Sequence, residues 1–260
     1  MTTVAIAMPL ATLVALVAWR LRTLTRSGAL SAILVGTITM GIGGWPAAAV
    51  LFAFFGPSVV LSRLGRAQKR LLTDIGKHGP RNAMQVLANG GIATLSIALT
   101  ALPHATSLAS TAFAAAFATA AADTWGTEIG TLVRATPRHI FTWKPMGTGL
   151  SGGVTAVGTL AELCGAAVVA SVAMLVGVGS FLPIMLAGFA GAMIDSVLGA
   201  TLQERRYCDA CRRSCEIDPH DCGLRTRVIG GVRGITNDVV NLGATASGAL
   251  LGLLFAVLLP

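Results

Sequence analysis

The sequence has few charged and few aromatic residues: 12% of its 260 residues are charged and 5% are Phe, Trp or Tyr. Soluble globular domains average about 25% charged residues. This shortage of charge, with a hydrophobic content of 54% and a mean hydropathy of +0.75, excludes an ordinary soluble domain. The sequence also lacks the motif G-x-x-x-x-G-K-[ST], which excludes a P-loop nucleotide-binding protein.

Long apolar runs are abundant instead, and a membrane-spanning helix needs about 17–25 such residues. Eight runs qualify: 2–19, 28–44, 46–62, 82–102, 106–130, 151–176, 180–202 and 237–258. None alternates apolar and polar residues as the strands of a transmembrane barrel do. The sequence therefore predicts an all-α, polytopic membrane helix bundle of about eight spans, forming a single integral-membrane domain over residues 1–260.

Lysine and arginine are missing from three predicted loops, around 44–46, 103–105 and 177–181. All 19 of these residues lie in the other four loops, which alternate with the first three along the chain. The positive-inside rule predicts that the basic loops are cytoplasmic and that both termini lie outside. Because this sorting accounts for the high pI of 10.1, we expect the bilayer, and not nucleic acid, as a partner.

Carboxylates close to the predicted spans all lie in their cytoplasmic halves. Asp123 and Glu128 end the fifth run, Asp195 lies in the seventh, and Asp238 opens the eighth. Ionisable groups in a membrane are costly and are therefore candidates for function. Alternatively, such carboxylates face water or pair with loop arginines; this alternative is strongest for Glu162 in the sixth run, and next for Asp238.

Amides and hydroxyls accompany these carboxylates at the same ends of the spans. They are Asn82, Gln85 and Asn89 in the fourth run, Thr124, Ser196 and Gln203 near the acidic residues, and Asn237 and Asn241 in the eighth run. The spacing i, i+3, i+7 in the fourth run places its three amides on one helix face. A site at the membrane interface favours an enzyme over a transporter, whose site would lie nearer the midplane.

Three glycine-containing turns with nearby basic residues precede predicted helices: KHGPRN (77–82), MGTGLSGG (146–153) and RTRVIGGVRG (225–234). Helix N-termini bind anions through free N–H groups, and glycine lets the backbone approach a phosphate closely. The turns supply the candidate anion-binding residues Arg81, Lys144, Gly147, Gly149, Ser151, Gly152, Arg227 and Arg233. Because carboxylates hold Mg²⁺ and Mg²⁺ bridges phosphates, the sequence predicts a metal–phosphate site.

Four of the five cysteines lie in a predicted cytoplasmic loop, 203–236, inserted between the last two spans. The stretch CDACRRSCEIDPHDC contains Cys208, Cys211, Cys215, His220 and Cys222. Disulfides are disfavoured in the reducing cytoplasm. The spacing predicts a structural zinc site that uses four of these five residues, and a set of free thiols is the alternative.

Two segments repeat weakly within the chain. FATAAADT (117–124) is similar to FAGAMIDS (189–196), so that Asp123 and Asp195 occupy matching positions. SGALSAILVGT (27–37) is similar to SGGVTAVGT (151–159) when a short gap is allowed. The pattern indicates an internal duplication, and chance similarity between Ala- and Gly-rich stretches is the competing interpretation.

Six motifs occur in a specific order: HGPRNAMQVLANGG, AADTWGTEIG, GTGLSGGVTAVGT, IDSVLGATLQ, the cysteine loop and TRVIGGVRGITNDVVN. Over roughly residues 27–245 the chain thereby resembles the integral-membrane family that includes the phytyl-phosphate kinase of tocopherol synthesis. Many bacterial and archaeal members of that family have no assigned activity.

The resemblance implies a prenyl-phosphate kinase that transfers a phosphoryl group from CTP or ATP to an isoprenoid monophosphate of phytyl or geranylgeranyl type. Asp123, Glu128 and Asp195 would hold Mg²⁺, and Asp238 is a further catalytic candidate. The amides would orient phosphate oxygens or metal-bound water, the basic residues of the turns would neutralise charge, and the turn Gly147–Gly153 would cradle phosphate. A transporter or flippase of a phosphorylated lipid and a membrane cytidylyltransferase are the alternatives.

Overall fold

The computed structural model describes residues 2–64, 79–102, 106–133 and 135–259. Seven helices lie in these ranges: α1 Thr2–Arg20, α2 Arg26–Arg63, α3 Ala83–Leu99, α4 Thr106–Leu132, α5 Ala156–Leu175, α6 Phe181–Thr201 and α7 Asn237–Leu258. Part of the predicted basic and outer loops lies outside the described residues, namely Arg66, Lys69, Arg70, Lys77, Arg134 and residues 103–105.

Four of these helices are long and apolar enough to cross a membrane: α2, α5, α6 and α7. Shorter apolar helices cover Ala5–Arg20 and Ala83–Leu99. The prediction of a mostly helical membrane bundle is confirmed in this coarse form. The count of eight spans is not confirmed by the part of the chain that the structure describes.

Helix α2 is a hairpin of two helical segments. At about 1.5 Å per residue, a straight helix of this length would be nearly twice as long as the hydrocarbon core is thick. Gly44 interrupts it with the non-helical angles φ 65° and ψ −158°. Pro46 follows the break, in the first turn of the second segment, where a backbone N–H group would have no intrahelical partner. The predicted runs 28–44 and 46–62 meet at this glycine.

Arg81 shows that the chain reverses direction at the break, because both ends of α2 meet this residue. The Thr25 N–H, just before the helix, donates to the Arg81 carbonyl at 3.0 Å. The Arg81 guanidinium donates to Ser62 Oγ, near the other end of the helix, at 3.5 Å. The first and last turns of α2 therefore lie at the same end of the bundle.

Helix α4 forms the centre of the bundle and packs against α2, α3, α5, α6 and α7. Its middle is fully buried and consists of alanines around Phe113 and Phe117, whose rings meet edge to face at 5.2 Å. Phe54 of α2 stacks on Phe117 at 5.4 Å. Small residues let the backbones of packed helices approach closely, which is the dominant way that helices associate within a membrane.

The two similar segments identified in the sequence contact each other across the α4–α6 interface. A Cβ added at Gly188, one residue before the α6 segment, would lie 2.5 Å from the Ala118 Cβ of the α4 segment. Asp123 and Asp195 lie farther along the same pair of helices. The internal duplication itself stays a prediction.

Five short strands lie in the connections at one end of the bundle. Strands β1 (Arg138–His139) and β2 (Gly153–Val154) form an antiparallel pair between α4 and α5. Strands β3 (Arg205–Cys208), β4 (Arg213–Cys215) and β5 (Arg227–Gly230) form a sheet of order β4-β3-β5 between α6 and α7.

The sequence predicts that the sixth helix begins at residue 151, and this boundary is wrong. Residues 153–154 pair with β1, and α5 begins after the N-cap Thr155.

Candidate functional site

A cavity of about 880 Å³ opens at the end of the bundle where α2, α4 and α6 end and α3, α5 and α7 begin. Fourteen predicted site residues line it: Arg81, Gln85, Asn89, Asp123, Thr124, Glu128, Gly149, Ser151, Gly152, Asp195, Ser196, Asn237, Asp238 and Asn241. Polar residues from distant parts of the sequence therefore converge on one cavity.

Three of the carboxylates that line this cavity lie on three different helices and form one cluster. Asp123 on α4 and Glu162 on α5 both lie close enough to Asp195 on α6 for their negative charges to repel it. A cluster of like charges removed from bulk water is costly unless a cation neutralises it. Oxygen ligands of this kind suit Mg²⁺.

Glu162 is the member of the cluster whose role the sequence left open. A Cβ added at Gly126 would lie 2.7 Å from Glu162 Oε1 and 2.5 Å from its Cγ, so the glutamate side chain occupies the space that Gly126 leaves. Its side chain is buried, and Oε2 has no hydrogen-bond partner among the described residues. An orphaned oxygen beside Asp123 and Asp195 fits a metal ligand, so the residues present fit a bound divalent cation.

Asn241 on α7 forms a hydrogen bond with Asp195, the member of the cluster on α6. In the amide orientation that satisfies its neighbours, its side-chain nitrogen donates to Asp195 Oδ2 at 3.0 Å and to the Asn237 carbonyl at 3.2 Å. The spacing i, i+4 places Asn237 and Asn241 on one face of α7. This amide therefore fixes the orientation of Asp195 from a neighbouring helix.

Glu128 and Arg81 form a second charged group at the cavity wall. Ser62 Oγ donates to Glu128 Oε1 at 2.6 Å, and the Arg81 guanidinium is close enough for attraction by Glu128 and Asp123. The Arg81 carbonyl lies against Gly28 of α2 so closely that a Cβ there would overlap it. The backbone of Arg81 is thus held in place, and its side chain supplies positive charge to the acidic cavity.

Asn82 and Gln85 have a structural task that the sequence analysis did not assign. The Asn82 side chain accepts from the Gln85 N–H at 3.1 Å, and the Gln85 side chain accepts from the Asn82 N–H at 3.0 Å. This capping box satisfies two orphan donors at the start of α3. Gln85 also lines the cavity, and Asn82 does not.

The glycine turn before α5 forms another wall of the cavity and is locked by Glu216. Ser151 donates its N–H to Glu216 Oε1 at 2.8 Å and its hydroxyl to Oε2 at 2.9 Å. Gln203 Nε2 donates to Oε2 at 2.6 Å. Burial raises the pKa of Glu216, although the hydrogen bonds from Ser151 partly oppose this effect. Gly152, at φ 82°, lies against α6, where a Cβ would be 2.6 Å from the Ala200 Cα.

Asp218 and Arg206 connect the cysteine loop to the same cavity, which both residues line. Their side chains form an ion pair at 3.2 Å. The Thr226 N–H donates to Asp218 Oδ1 at 2.9 Å. This hydrogen bond lowers the pKa of the Asp218 carboxyl. Arg206 also pairs with Glu204, which accepts from the Gly234 N–H at 2.6 Å. Sequence reasoning missed this network because its members face one another only in the folded loop.

Four of the five predicted zinc ligands lie together in the cysteine loop. The ligand atoms of Cys208, Cys211, His220 and Cys222 all lie within 4.8 Å of one another. Cys215 is buried but lies outside the group, and its thiol donates to the Ile217 carbonyl at 3.8 Å. None of these four cysteines forms a disulfide.

The remaining predicted anion-binding residues do not line the cavity: Lys144, Gly147, Gln203, Arg227 and Arg233. Lys144 and Gly147 lie in the exposed connection between β1 and β2, and Arg233 is exposed. Arg227 pairs with Asp209 at 3.1 Å and lies over the Tyr207 ring at 5.0 Å. Gln203 is buried and positions Glu216. The expectation that these residues contact a ligand directly finds no support in the geometry, because loop positions depend on contacts that the sequence does not display.

An apolar groove of about 650 Å³ adjoins the polar cavity. Leu160 and Leu163 of α5, Phe189 of α6 and Trp143 of the β1–β2 connection line it. Val154 and Thr155 line both the groove and the polar cavity. The two spaces therefore meet at the start of α5.

Comparison with known proteins gives a consistent set of relatives. The profile of the family described as integral membrane protein DUF92 matches residues 9–249. Protein PGR of Arabidopsis thaliana is 33% identical over 260 residues, covering 89% of this chain and 88% of its own length. An uncharacterized membrane protein of Synechocystis is 30% identical over 66% of this chain and 69% of its own length. Another, from Methanocaldococcus jannaschii, is 27% identical over 82% of this chain and 85% of its own. No solved structure matches.

Proposed function

This chain belongs to the DUF92 family of integral membrane proteins, and we propose that it is a prenyl-phosphate kinase. It would transfer a phosphoryl group from a nucleoside triphosphate, CTP or ATP, to an isoprenoid monophosphate at the cytoplasmic face of the membrane. The observation that carries the proposal is the cluster of Asp123, Glu162 and Asp195 in a cavity that also contains Arg81. The resemblance of the motifs to the phytyl-phosphate kinase family agrees with this reaction.

Asp123, Glu162 and Asp195 would hold Mg²⁺ in this proposal. Glu162 takes the ligand position that the sequence suggests for Glu128, because Glu128 accepts a hydrogen bond from Ser62 and lies close to Arg81. The metal supplies neutralisation and alignment of phosphate oxygens, which is the main requirement for phosphoryl transfer. The proposal assigns Asn241 a positioning role, because it orients Asp195.

Phosphate groups would occupy the space between the acidic cluster and the glycine turn. Arg81 would contribute a planar, bidentate donor, which suits phosphate oxygens better than a lysine would. The turn Gly149–Gly152 is held by the two hydrogen bonds that Ser151 donates to Glu216. The attacking group of an isoprenoid monophosphate is already an anion, so the reaction requires positioning more than a strong general base.

The isoprenoid chain would lie in the apolar groove that meets the cavity at Val154 and Thr155. A ligand with a charged head and a branched apolar tail matches this combination of spaces, since apolar surfaces favour burial of apolar chains. The Lys and Arg residues of the basic loops that the structure describes lie at the end of the bundle that contains the cavity. By the positive-inside rule this charge pattern supports a cytoplasmic position for that end, where nucleotide is present.

Purified protein in detergent, mixed with Mg²⁺, CTP or ATP and an isoprenoid monophosphate, tests the proposal. Phytyl, geranylgeranyl and farnesyl monophosphates would be compared, with lipid and nucleotide products followed by mass spectrometry. We expect a lipid diphosphate and a nucleoside diphosphate in equal amounts. A nucleotidyl lipid with pyrophosphate would instead establish a cytidylyltransferase. No turnover in folded protein, together with movement of lipid phosphate across vesicles, would establish a transporter.

A further inference from the structure

We propose that Cys208, Cys211, His220 and Cys222 bind one structural Zn²⁺ ion, and that this site holds the acidic edge of the cavity in place. The four residues come from three short elements around the β4-β3-β5 sheet. Cys208 ends β3, Cys211 lies in the turn before β4, and His220 and Cys222 lie in the loop before β5. The Cys-x-x-Cys turn followed by His-x-Cys provides two close pairs of ligands, as structural zinc sites require.

Three separations between the ligand atoms match those of a tetrahedral zinc site. With Zn–S near 2.3 Å and Zn–N near 2.0–2.1 Å, tetrahedral geometry gives about 3.8 Å between two sulfurs and about 3.5 Å between sulfur and nitrogen. The Sγ atoms of Cys208 and Cys222 are 3.6 Å apart. His220 Nδ1 lies 3.6 Å from Cys211 Sγ and 3.3 Å from Cys222 Sγ. A disulfide would instead require about 2.05 Å between sulfurs.

The structure also selects four ligands from the five candidates. Strand pairing places Cys215 opposite Arg206, whereas Cys208 lies opposite Arg213, so Cys215 is displaced along the ladder from the ligand group. Its thiol contacts the Ile217 carbonyl. His220 is 4% exposed and directs Nδ1 at the sulfurs, which identifies Nδ1 as the ligand atom.

Thiolate and imidazole ligands prefer zinc, whereas the carboxylate cluster in the cavity prefers magnesium. The cysteine site would therefore not take up the Mg²⁺ of the cavity. A sheet of three strands with 4, 3 and 4 residues is too small to be stable through its own core. Zinc binding stabilises such small folded units directly, since the ligand set forms only in the folded state.

The position of the zinc site explains what it would stabilise. The segment between the ligands Cys211 and His220 carries Glu216 and Asp218, and both line the cavity. Glu216 fixes Ser151 of the glycine turn. Zinc would therefore act as a positioning element: it holds the loop, the loop holds Glu216, and Glu216 holds the turn.

Metal content of the purified full-length protein tests the zinc site without reference to any reaction. We expect one zinc per chain by mass spectrometry of the metal, and its loss in Cys211→Ser and Cys222→Ser, two exposed positions. Cys215→Ser and Cys164→Ser are matched controls and should keep the zinc. Absence of zinc in the wild-type protein, with no uptake of added zinc, would overturn the site. Equal loss in Cys215→Ser would overturn the assignment of ligands.

Limited digestion with trypsin tests the positioning role. Arg206 is bonded to Thr226 through Nε at 2.7 Å and Nη2 at 3.0 Å, so the zinc-loaded loop should resist cleavage there. Removal of zinc by a chelator should expose Arg206 to cleavage, and added zinc should restore the protection. Equal cleavage with and without zinc would show that the metal does not hold this loop. Neither result depends on whether the protein is a kinase.

Discussion

Ser151 donates both its backbone N–H and its hydroxyl to the carboxylate of Glu216, at 2.8 Å and 2.9 Å, although the two residues are 65 positions apart. One partner belongs to the glycine turn before α5, and the other belongs to the cysteine loop before α7. The pair joins two connections that the sequence presents as independent. It also determines the shape of one wall of the cavity.

Ser151→Ala should destabilise the protein, because it removes one hydrogen bond to a partly buried charged group. Such bonds contribute about 1.5–3 kcal/mol, which corresponds to a fall of several degrees in the unfolding temperature. Thermal unfolding in detergent, followed by tryptophan fluorescence, measures the effect. Ser110→Ala is the control, since Ser110 is bonded to a carbonyl of its own helix at an exposed position. Equal unfolding temperatures for both variants would contradict the role of the pair.

Asp123→Asn and Asp195→Asn should each lower turnover by about 100-fold or more, because each would remove a charged ligand of the metal. Both variants should remain folded, since asparagine has nearly the same shape as aspartate. Asp209→Asn is the control: its carboxylate is exposed and pairs with Arg227 outside the cavity. Full activity in both cavity variants would refute the metal site.

Gly126→Ala should destabilise the bundle and displace Glu162, because the added Cβ would lie 2.5 Å from the Glu162 Cγ. Overpacking of this kind costs about 1–3 kcal/mol. Gly91→Ala is a matched control on α3, where the nearest atom to an added Cβ is 4.0 Å away. Alanine is the better helix former, so this control should unfold at the same or a higher temperature.

The double variant Gly126→Ala, Glu162→Ala separates packing from chemistry. Removing the glutamate side chain relieves the overlap, so the unfolding temperature should recover toward that of the wild type. Activity should not recover, because a proposed metal ligand is missing. Recovery of activity together with stability would show that Glu162 has no part in the reaction.

Arg81→Gln should lower kcat/KM for the phosphorylated substrates by about 10–100-fold, the range expected when a charged hydrogen-bond donor is lost. Lys144→Gln removes the same charge from an exposed position outside the cavity, and it should have no effect beyond about twofold. Steady-state kinetics with both variants make the comparison. An equal loss in the two would indicate general attraction by the basic loops, and not binding by Arg81.

Leu163→Trp should raise KM for geranylgeranyl monophosphate more than for a five-carbon isoprenoid monophosphate, because the larger ring would fill the apolar groove. Leu250→Trp is the control, on an exposed face of α7 away from the groove. A pair of KM values for each variant provides the measurement. The same change for long and short substrates would place the isoprenoid chain elsewhere.

The sequence predicted the helices well, because each apolar run carries its own signal. The runs 180–202 and 237–258 agree closely with α6 Phe181–Thr201 and α7 Asn237–Leu258. The start of α5 was wrong by five residues, because pairing of Gly153–Val154 with β1 competes with helix formation there. Strand pairing between distant short segments leaves no periodic pattern that a local reading can detect.

The candidate site also contains residues that the sequence predicted and residues that it did not. Asp123 and Asp195 could be predicted because a carboxylate in an apolar helix is conspicuous. Glu216 was not predicted, because its contacts with Ser151 and Gln203 arise only when two loops meet. Arg233 was predicted as a ligand-binding residue from its charge in a glycine-containing turn, and it lies outside the cavity. Charge near a glycine turn does not reveal which way the turn faces.

The most direct test of the central claim is to follow the terminal phosphoryl group of the nucleotide. Nucleoside triphosphate labelled in its γ-phosphate would be mixed with the purified protein, Mg²⁺ and geranylgeranyl monophosphate, and the lipid would be extracted. A lipid diphosphate carrying the label, absent with Asp195→Asn or without Mg²⁺, is the predicted result. Label that leaves as pyrophosphate, or that stays on the nucleotide while folded protein binds the lipid, would contradict phosphoryl transfer in this cavity.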